Sequence, residues 1–149
     1  MPIPILSRLL STEKVGFLRL SLRNEAAELL SENTYVCAAE TGNYQALKEL
    51  PQAEINIEKT PVEIENGICS CSVTLENCGR VPAVMLRLNL KAADGDQILP
   101  VIYSDNYFHL LPNEKRSVRI EWNLRDARGS QPVVEVSGYN VPLSNNRIE

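Results

Sequence analysis

The stretch VMLRLNLK, residues 84–91, alternates between aliphatic residues and longer or polar ones without a break. The aliphatic set is Val84, Leu86, Leu88 and Leu90, and the intervening set is Met85, Arg87, Asn89 and Lys91. A period of two is the pattern of a β-strand that buries one face and exposes the other. The stretch therefore predicts a strand whose aliphatic set faces a core, and it makes a sheet-based fold the starting hypothesis.

Two more stretches show the same alternation. Between residues 68 and 76 the inward set is Cys69, Cys71, Val73 and Leu75. Between residues 118 and 124 the inward set is Val118, Ile120, Trp122 and Leu124. Because a buried tryptophan contributes more apolar area than any other side chain, Trp122 is expected to anchor the core.

Shorter strand signals fill the rest of the chain from residue 51 onward. Extended stretches are predicted at residues 53–59, 62–64, 98–103 and 132–141, and the tail after residue 141 is expected to fray. Residues 98–103 are predicted as the strand that returns after a turn, with Pro100 indicating an edge or a bulge. At the turn 77–80, Asn77 and Gly79 are expected to accept positive φ. Short strands at this spacing predict an all-β sandwich or barrel, and the sandwich is the favoured architecture.

The first fifty residues give mixed signals. Residues 15–22 are typical of a strand, whereas residues 24–31 contain good helix formers. Residues 33–38 are again extended in character, and residues 44–50 favour one or two helical turns before Pro51 ends them. The sequence thus predicts a β-rich segment here without fixing its fold.

Composition and charge exclude several classes of protein. The chain has 149 residues, of which 44% are hydrophobic and 23% charged, with a net charge of −4, values typical of a folded soluble domain. Acidic and basic residues are mixed along the chain, so no basic stripe exists that could follow a phosphate backbone, and nucleic acid is not expected as a partner. Residues 1–10 show no export signal, and no apolar run approaches the roughly 20 residues that a membrane span needs.

The four cysteines do not form a metal-ligand pattern. They are Cys37, Cys69, Cys71 and Cys78, and His109 is the one histidine of the chain. Zinc sites favour cysteine pairs with a short spacing and a second ligand pair elsewhere. Since Cys69 and Cys71 alternate as core residues, we expect buried free thiols, no metal site and no cofactor.

No group of residues forms a recognisable catalytic site in the sequence. Glu63 and Glu65 point the same way along a strand and are expected to be solvated. Asp94 and Asp96 flank a glycine, a setting in which aspartates favour turns. His109 lies between two apolar residues and is expected to be packed or at a rim. The chain is therefore predicted not to be an enzyme.

Residues 104–108, Ser-Asp-Asn-Tyr-Phe, allow two interpretations. A carboxylate, an amide and two aromatic rings at the end of a strand could bind a sugar ring. In the favoured alternative, Asp105 and Asn106 cap a corner through side-chain to backbone bonds. Tyr107 and Phe108 would then pack into the sandwich or against a neighbouring domain. These four residues are the candidate ligand or domain-interface contacts.

Several motifs follow one another along the chain in a characteristic order. They are FLRL (17–20), SENTY (31–35), NYQAL (43–47), LP (50–51), LPVIYSDNYF (99–108), LPNE (111–114) and VSGYNV (136–141). In this order they resemble the C-terminal immunoglobulin-like region of family 2 glycoside hydrolases, in the β-mannosidase and exo-β-glucosaminidase branch. The likeness covers roughly residues 15–141, and its most specific part is residues 104–108.

The resemblance implies an accessory role, because in that family such modules follow a catalytic barrel that this chain lacks. It implies that residues 1–50 are the remnant of a preceding immunoglobulin-like domain plus a linker. Residues 51–149 would form a complete antiparallel immunoglobulin-like β-sandwich of about seven strands. The implied partner is the rest of a multidomain glycosidase chain, and the resemblance alone points to a periplasmic or extracellular location.

Two other functions stay open. A carbohydrate-binding module would carry an exposed planar row of aromatic residues, whereas Trp122 falls on the inward side of its strand and aromatic residues make up only 5% of the chain. A free-standing fragment would leave sheet edges open to pairing with another chain.

Overall fold

The structure is a computed structural model that describes residues 14–40 and 42–148. It divides into two compact units, one that ends at Leu50 and one that begins at Pro51. The expectation about an export signal in residues 1–10 lies outside the described residues. Within the described ranges, no helix is long and apolar enough to cross a membrane.

The first unit contains an antiparallel hairpin and a short helical turn. Its strands are β1 (Val15–Arg23) and β2 (Leu29–Ala38), and a 3₁₀ helix covers Gln45–Glu49. The predicted strand at 15–22, the extended segment at 33–38 and the helical turn before Pro51 are confirmed.

Residues 24–28 form the turn of this hairpin although the surrounding sequence favours a helix. The Asn24 side chain accepts a hydrogen bond from the Glu28 amide at 2.9 Å. The Ala27 amide donates to the Asn24 carbonyl at 3.0 Å, and Ala27 takes a positive φ of 63°. Pairing between β1 and β2 therefore overrides the helix propensity of the intervening residues.

One face of the hairpin carries leucines that are exposed. Leu18, Leu20 and Leu22 alternate along β1, and Tyr35 lies opposite Leu18 on β2. Leu20 and Leu22 are 51% and 61% exposed. A two-stranded sheet is at best marginally stable alone and needs a further layer over its apolar face. This leucine face has the composition of a surface that packs against another layer.

The second unit is a sandwich of two antiparallel sheets. Its described strands are β3 (Ile55–Lys59), β4 (Glu63–Glu65), β5 (Ile68–Asn77), β6 (Ala83–Ala92), β7 (Val101–Tyr103), β8 (Phe108–Leu110), β9 (Lys115–Asn123), β10 (Pro132–Ser137) and β11 (Ser144–Arg147). One sheet has the order β11-β10-β6-β8 and the other β3-β5-β9-β7, with β4 also paired to β5. The predicted all-β antiparallel sandwich is confirmed. The strands outnumber the predicted seven because β8 and β11 had no counterpart among the predicted stretches.

The alternating stretches form the facing walls of the core. Every second residue of β5, β6 and β9 is buried, as the sequence predicts, and the largest members are Leu75, Leu86, Leu88, Leu90, Ile120 and Trp122. Trp122 is 3% exposed and is the core anchor expected from its place in the alternation. Burial of such side chains is the main favourable term in the stability of a sandwich of this size.

The end of β9 and the C-terminal tail differ from the sequence prediction. Leu124 is 49% exposed instead of inward, because the chain leaves the strand and forms a 3₁₀ helix over Leu124–Ala127. The tail that was expected to fray pairs with β10 as β11. It also buries Ile148 to 2% exposure. Strand pairing with β10 and the burial of Ile148 together hold this segment on the sheet.

The strand predicted to return after β6 belongs to the other sheet. The observed strand, β7, is shorter than predicted and does not include residues 98–100. It pairs with β9, with Val101 opposite Trp122 and Tyr103 opposite Ile120. Pro100 precedes β7, which lies at the edge of its sheet. The connection therefore crosses the core layer and brings Tyr103 close to β6.

Candidate functional site

The corner between β7 and β8 contains the residues that the sequence singled out. Asn106 uses its side-chain amide as a strand uses its backbone: Oδ1 accepts from the Leu88 amide and Nδ2 donates to the Leu88 carbonyl, both at 2.9 Å. The pairing of β6 with β8 ends at Leu86, which lies opposite Phe108. Asn106 therefore supplies the partner that β6 lacks at the next position along its edge.

Tyr103 satisfies the following position on the same edge. Its hydroxyl oxygen accepts a hydrogen bond from the Leu90 amide at 2.8 Å. Burial raises the pKa of Tyr103, although the bond from Leu90 and the charge of Arg87 act in the opposite direction. Since Tyr103 comes from β7, this bond links the two sheets at the edge of the sandwich.

Asp105 and Phe108 are held by one arginine. An oxygen of the Asp105 carboxylate accepts from Arg116 Nη1 at 2.7 Å, and the other accepts from the Asn106 amide at 2.8 Å. The Arg116 guanidinium also lies 4.9 Å from the centroid of the Phe108 ring, within the range of a cation–π contact. Phe108 is buried. The predicted corner caps of Asp105 and Asn106 and the predicted packing of Phe108 are confirmed.

Tyr107 differs from its neighbours because its side chain points outward. It is 56% exposed, so the prediction that it packs into the sandwich is wrong, while packing against another domain stays a prediction. Its backbone takes a positive φ of 59°, and its amide donates to Asn106 Oδ1 at 3.0 Å. Non-glycine residues in this conformation persist only where their surroundings enforce it. The corner thus holds an aromatic ring in contact with solvent.

His109 is half-buried and contacts an irregular part of β6. Its Nδ1 accepts a hydrogen bond from the Met85 amide at 3.2 Å. Met85 takes a positive φ of 53°, and the register of β6 against β8 shifts between Ala83 and Leu86, which together describe a β-bulge. Burial, and secondarily the charge of Arg116, lower the pKa of His109. His109 is a packed histidine, as the sequence predicted.

The remaining candidate acids and thiols have structural positions. Glu63 and Glu65 are exposed on β4, and the Asp94 carboxylate accepts from the Asp96 amide at 3.1 Å in a turn; both predictions are confirmed. All four cysteines are free, and the expected burial of Cys69 and Cys71 is confirmed. Among the described residues, no group of histidine, cysteine and acidic side chains is arranged to hold a metal ion.

Asn140 has a structural role that the sequence analysis missed. Its Oδ1 accepts from the Val84 amide at 3.0 Å, and its Nδ2 donates to the carbonyl oxygens of Pro51 at 3.0 Å and Pro82 at 2.9 Å. Asn140 is only 8% exposed, and one amide thus fixes the start of the second unit to the start of β6. Its place in the VSGYNV motif is the one signal in the sequence that marks it.

Asn77 corrects the turn predicted at residues 77–80. Neither Asn77 nor Gly79 has a positive φ. Asn77 is fully buried, its Nδ2 donates to the carbonyl oxygens of Val81 at 2.8 Å and Leu110 at 2.9 Å, and its Oδ1 accepts from the Gly79 amide at 3.0 Å. The role of Asn77 at this turn is to form hydrogen bonds with its side chain, and it does not depend on a positive φ.

A hollow of about 460 Å³ lies beside β7 and the end of β9. It is lined by Ile68, Pro100, Ile102, Glu121, Trp122, Asn123, Arg125 and Asp126. Ile68 and Ile102 are 43% and 67% exposed, whereas Trp122 is buried. The hollow is therefore an aliphatic surface with a charged rim, and it lacks the exposed aromatic ring on which a sugar would stack.

Taken together, these contacts define the class of the molecule as an immunoglobulin-like β-sandwich whose conspicuous polar side chains satisfy its own backbone. The family model described as the exo-β-D-glucosaminidase immunoglobulin-fold domain matches residues 33–141. The chain belongs to this family. The family is the immunoglobulin-fold domain of these enzymes and not their catalytic domain, so the chain is a non-catalytic domain.

Curated relatives place this domain in much longer proteins. The chain is 32% identical over 146 residues to the exo-β-D-glucosaminidase of Arthroderma benhamiae and 31% identical over 149 residues to that of Hypocrea jecorina; each match covers 85% of this chain and 16% of the relative. The crystal structure of an exo-chitosanase from Amycolatopsis orientalis superposes with a TM-score of 0.79 at 23% identity, over 91% of this chain and 18% of that one. The resemblance found in the sequence is confirmed for the exo-glucosaminidase branch.

Proposed function

We propose that this chain is the accessory β-sandwich of a family 2 glycoside hydrolase of the exo-β-glucosaminidase type and that it supports the catalytic barrel structurally. The observation that carries the proposal is the family match over residues 33–141, in a chain that spans 16% of the length of its curated relatives. The glucosaminidase branch is favoured over the β-mannosidase branch because the matching relatives have the former activity in their names. Assignment to family 2 itself rests on the sequence motifs.

Exchange of the domain in a relative tests this proposal. The matched segment of the Hypocrea jecorina enzyme is deleted in one variant and replaced by this chain in a second. If the domain supports the catalytic part, deletion lowers Tm or soluble yield, and replacement restores both together with hydrolysis of a chromogenic β-D-glucosaminide. A third variant, in which the inserted chain carries Trp122→Ala, controls for restoration that does not depend on a folded domain. An enzyme whose Tm and activity survive the deletion unchanged would contradict the proposal.

The hairpin of residues 15–38 has a separate part in the proposal. We infer that residues 1–50 are the remnant of a preceding immunoglobulin-like domain and that its leucine face packs against strands of the larger enzyme. The support is physical: exposed Leu20 and Leu22 lie on a two-stranded sheet, which is marginal alone. Leu20→Asp in the exchanged enzyme is expected to lower Tm. Ser21→Lys, on the opposite face, is the matched control: it also adds a charge, but one that lies opposite Glu32 and can pair with it, so it should not lower Tm.

The exposed ring of Tyr107 is proposed as a contact with the rest of the enzyme, held in place by Asp105, Asn106 and Phe108. The support is that the corner fixes this ring outward in an unfavourable backbone conformation. Tyr107→Ala should lower the Tm of the exchanged enzyme and leave that of the separate chain nearly unchanged. Tyr139→Ala is the control, because Tyr139 is similarly exposed, at 53%.

Calorimetry distinguishes a contact role of Tyr107 from a ligand role. If Tyr107 contacts the rest of the enzyme, the separate chain should show no heat of binding with glucosamine oligosaccharides. A binding signal that Tyr107→Ala removes would replace the contact role by a carbohydrate-binding one.

A further inference from the structure

The β-bulge at Met85 depends on a bond that a histidine provides. Met85 takes a positive φ of 53° near the start of β6, a conformation that costs free energy for a residue with a side chain. Its amide points at His109 Nδ1, at 3.2 Å. The bulge is therefore stabilised by an acceptor that is present only while the imidazole is neutral at that nitrogen.

We propose that His109 is an acid-sensitive latch, in which the neutral imidazole holds the β6 bulge and protonation at Nδ1 releases the Met85 amide. The step is a proton transfer from solvent alone. The Nδ1 lone pair takes up the proton, the nitrogen becomes an N–H donor, and the two donors then face each other without an acceptor between them.

The groups around His109 oppose its protonation in the folded state. Arg116, on β9, acts on it through its positive charge, and Arg116 is itself paired with Asp105 at 2.7 Å. Partial burial of the ring adds a desolvation cost for the charged form. Burial and Arg116 together lower the pKa of His109 below its ordinary value of 6.5.

The sign of the pH dependence follows from this lowering. As the pH falls below 6.5, the unfolded chain takes up the proton before the folded one does. The contribution of the latch is therefore complete above pH 6.5 and is lost as the pH falls through the lower folded-state pKa. Loosening should be local, because β8 pairs with β6 only through Ala83–Leu110 and Leu86–Phe108, whereas β5 and β9 are paired along their whole length.

The experiment uses the whole 149-residue chain and the fact that it contains one histidine. Nuclear magnetic resonance follows the ring proton of His109 and the hydrogen-exchange protection of the Met85 amide as the pH is lowered from neutral to acidic. We expect the ring to titrate below its ordinary pKa, and we expect Met85 protection to fall by roughly tenfold in the same interval. Protection of the Val73 and Val118 amides, in β5 and β9, should not change.

His109→Asn is the matched variant, because a side-chain oxygen keeps an acceptor near the position of Nδ1 but does not titrate. In this variant the protection of Met85 should be independent of pH. The latch is refuted if His109 titrates above 6.5, if Met85 stays protected once the ring is charged, or if protection is lost equally in the asparagine variant. The first two outcomes come from the unmodified chain, so the inference is decided even if the variant fails to fold. It is independent of the function proposed above.

Discussion

Replacement of Asn106 by alanine removes a side chain that stands in for a missing strand. The variant loses both hydrogen bonds to Leu88 and the bond from the Tyr107 amide. Each bond contributes about 0.5–1.5 kcal/mol net, and a buried backbone group left unpaired costs about 1–3 kcal/mol. Because the edge of β6 is only partly buried, water can replace some of these bonds. We therefore expect a loss of about 2–4 kcal/mol in the free energy of unfolding.

Urea denaturation measures this loss directly, because Trp122 is the only tryptophan of the chain and lies in the core. The matched variant Asn106→Asp keeps the acceptor for Leu88 but loses the donor to its carbonyl, and it should be destabilised as well. Acidification toward the pKa of the new carboxyl should narrow the gap in stability to the unmodified chain at the same pH, because a protonated carboxyl can donate again. Asn56→Ala is the control, since Asn56 is exposed and makes only a long side-chain contact of 3.5 Å.

An Asn106→Ala variant whose unfolding free energy lies within about 0.5 kcal/mol of the original, the range of an ordinary surface substitution, would contradict this role of Asn106. Such a result would mean that water satisfies the Leu88 backbone as well as the amide does. The corner around residues 104–108 would then be free to serve a ligand instead of the backbone.

Three other predictions follow from the core and its margins. Trp122→Ala should cost about 3–5 kcal/mol by circular dichroism, and a loss below about 1 kcal/mol would contradict its burial. Cys78, which is exposed, should react with a thiol reagent in the folded chain, whereas Cys71, whose pKa burial raises to about 11, should react only on unfolding. Gly138→Ala should lower Tm, because the new Cβ would lie 3.0 Å from the Val84 carbonyl oxygen; an unchanged Tm would show that this loop can move.

Much of the fold follows from the sequence because burial in a sheet has a simple period. The inward residues of β5, β6 and β9 were predictable since each strand has one face in the core. The hairpin of β4 and β5 was also within reach: Asn66 and Gly67 have positive φ of 50° and 79°, and Asn-Gly is a strong signal for a two-residue turn.

The asparagines could not be placed in the same way. Asn77, Asn106 and Asn140 are common turn residues in sequence, and nothing local distinguishes an amide that bonds to its own turn from one that bonds to a distant strand. Their partners lie up to 89 residues away along the chain. The sequence also could not show which of the two sheets contains β7. Its alternation pattern identifies a strand, but the choice of sheet depends on contacts with residues that are distant along the chain.

The edge of β6 beyond β8 has a consequence for the behaviour of the protein at high concentration. Exposed strand edges act as templates for intermolecular β-pairing, and natural sheets protect them by several devices. Here the amide and carbonyl of Leu88 are bonded to Asn106, and the amide of Leu90 is bonded to Tyr103. A strand from another molecule would have to displace these side chains before it could add to the sheet. Asn106 and Tyr103 therefore protect this edge against aggregation.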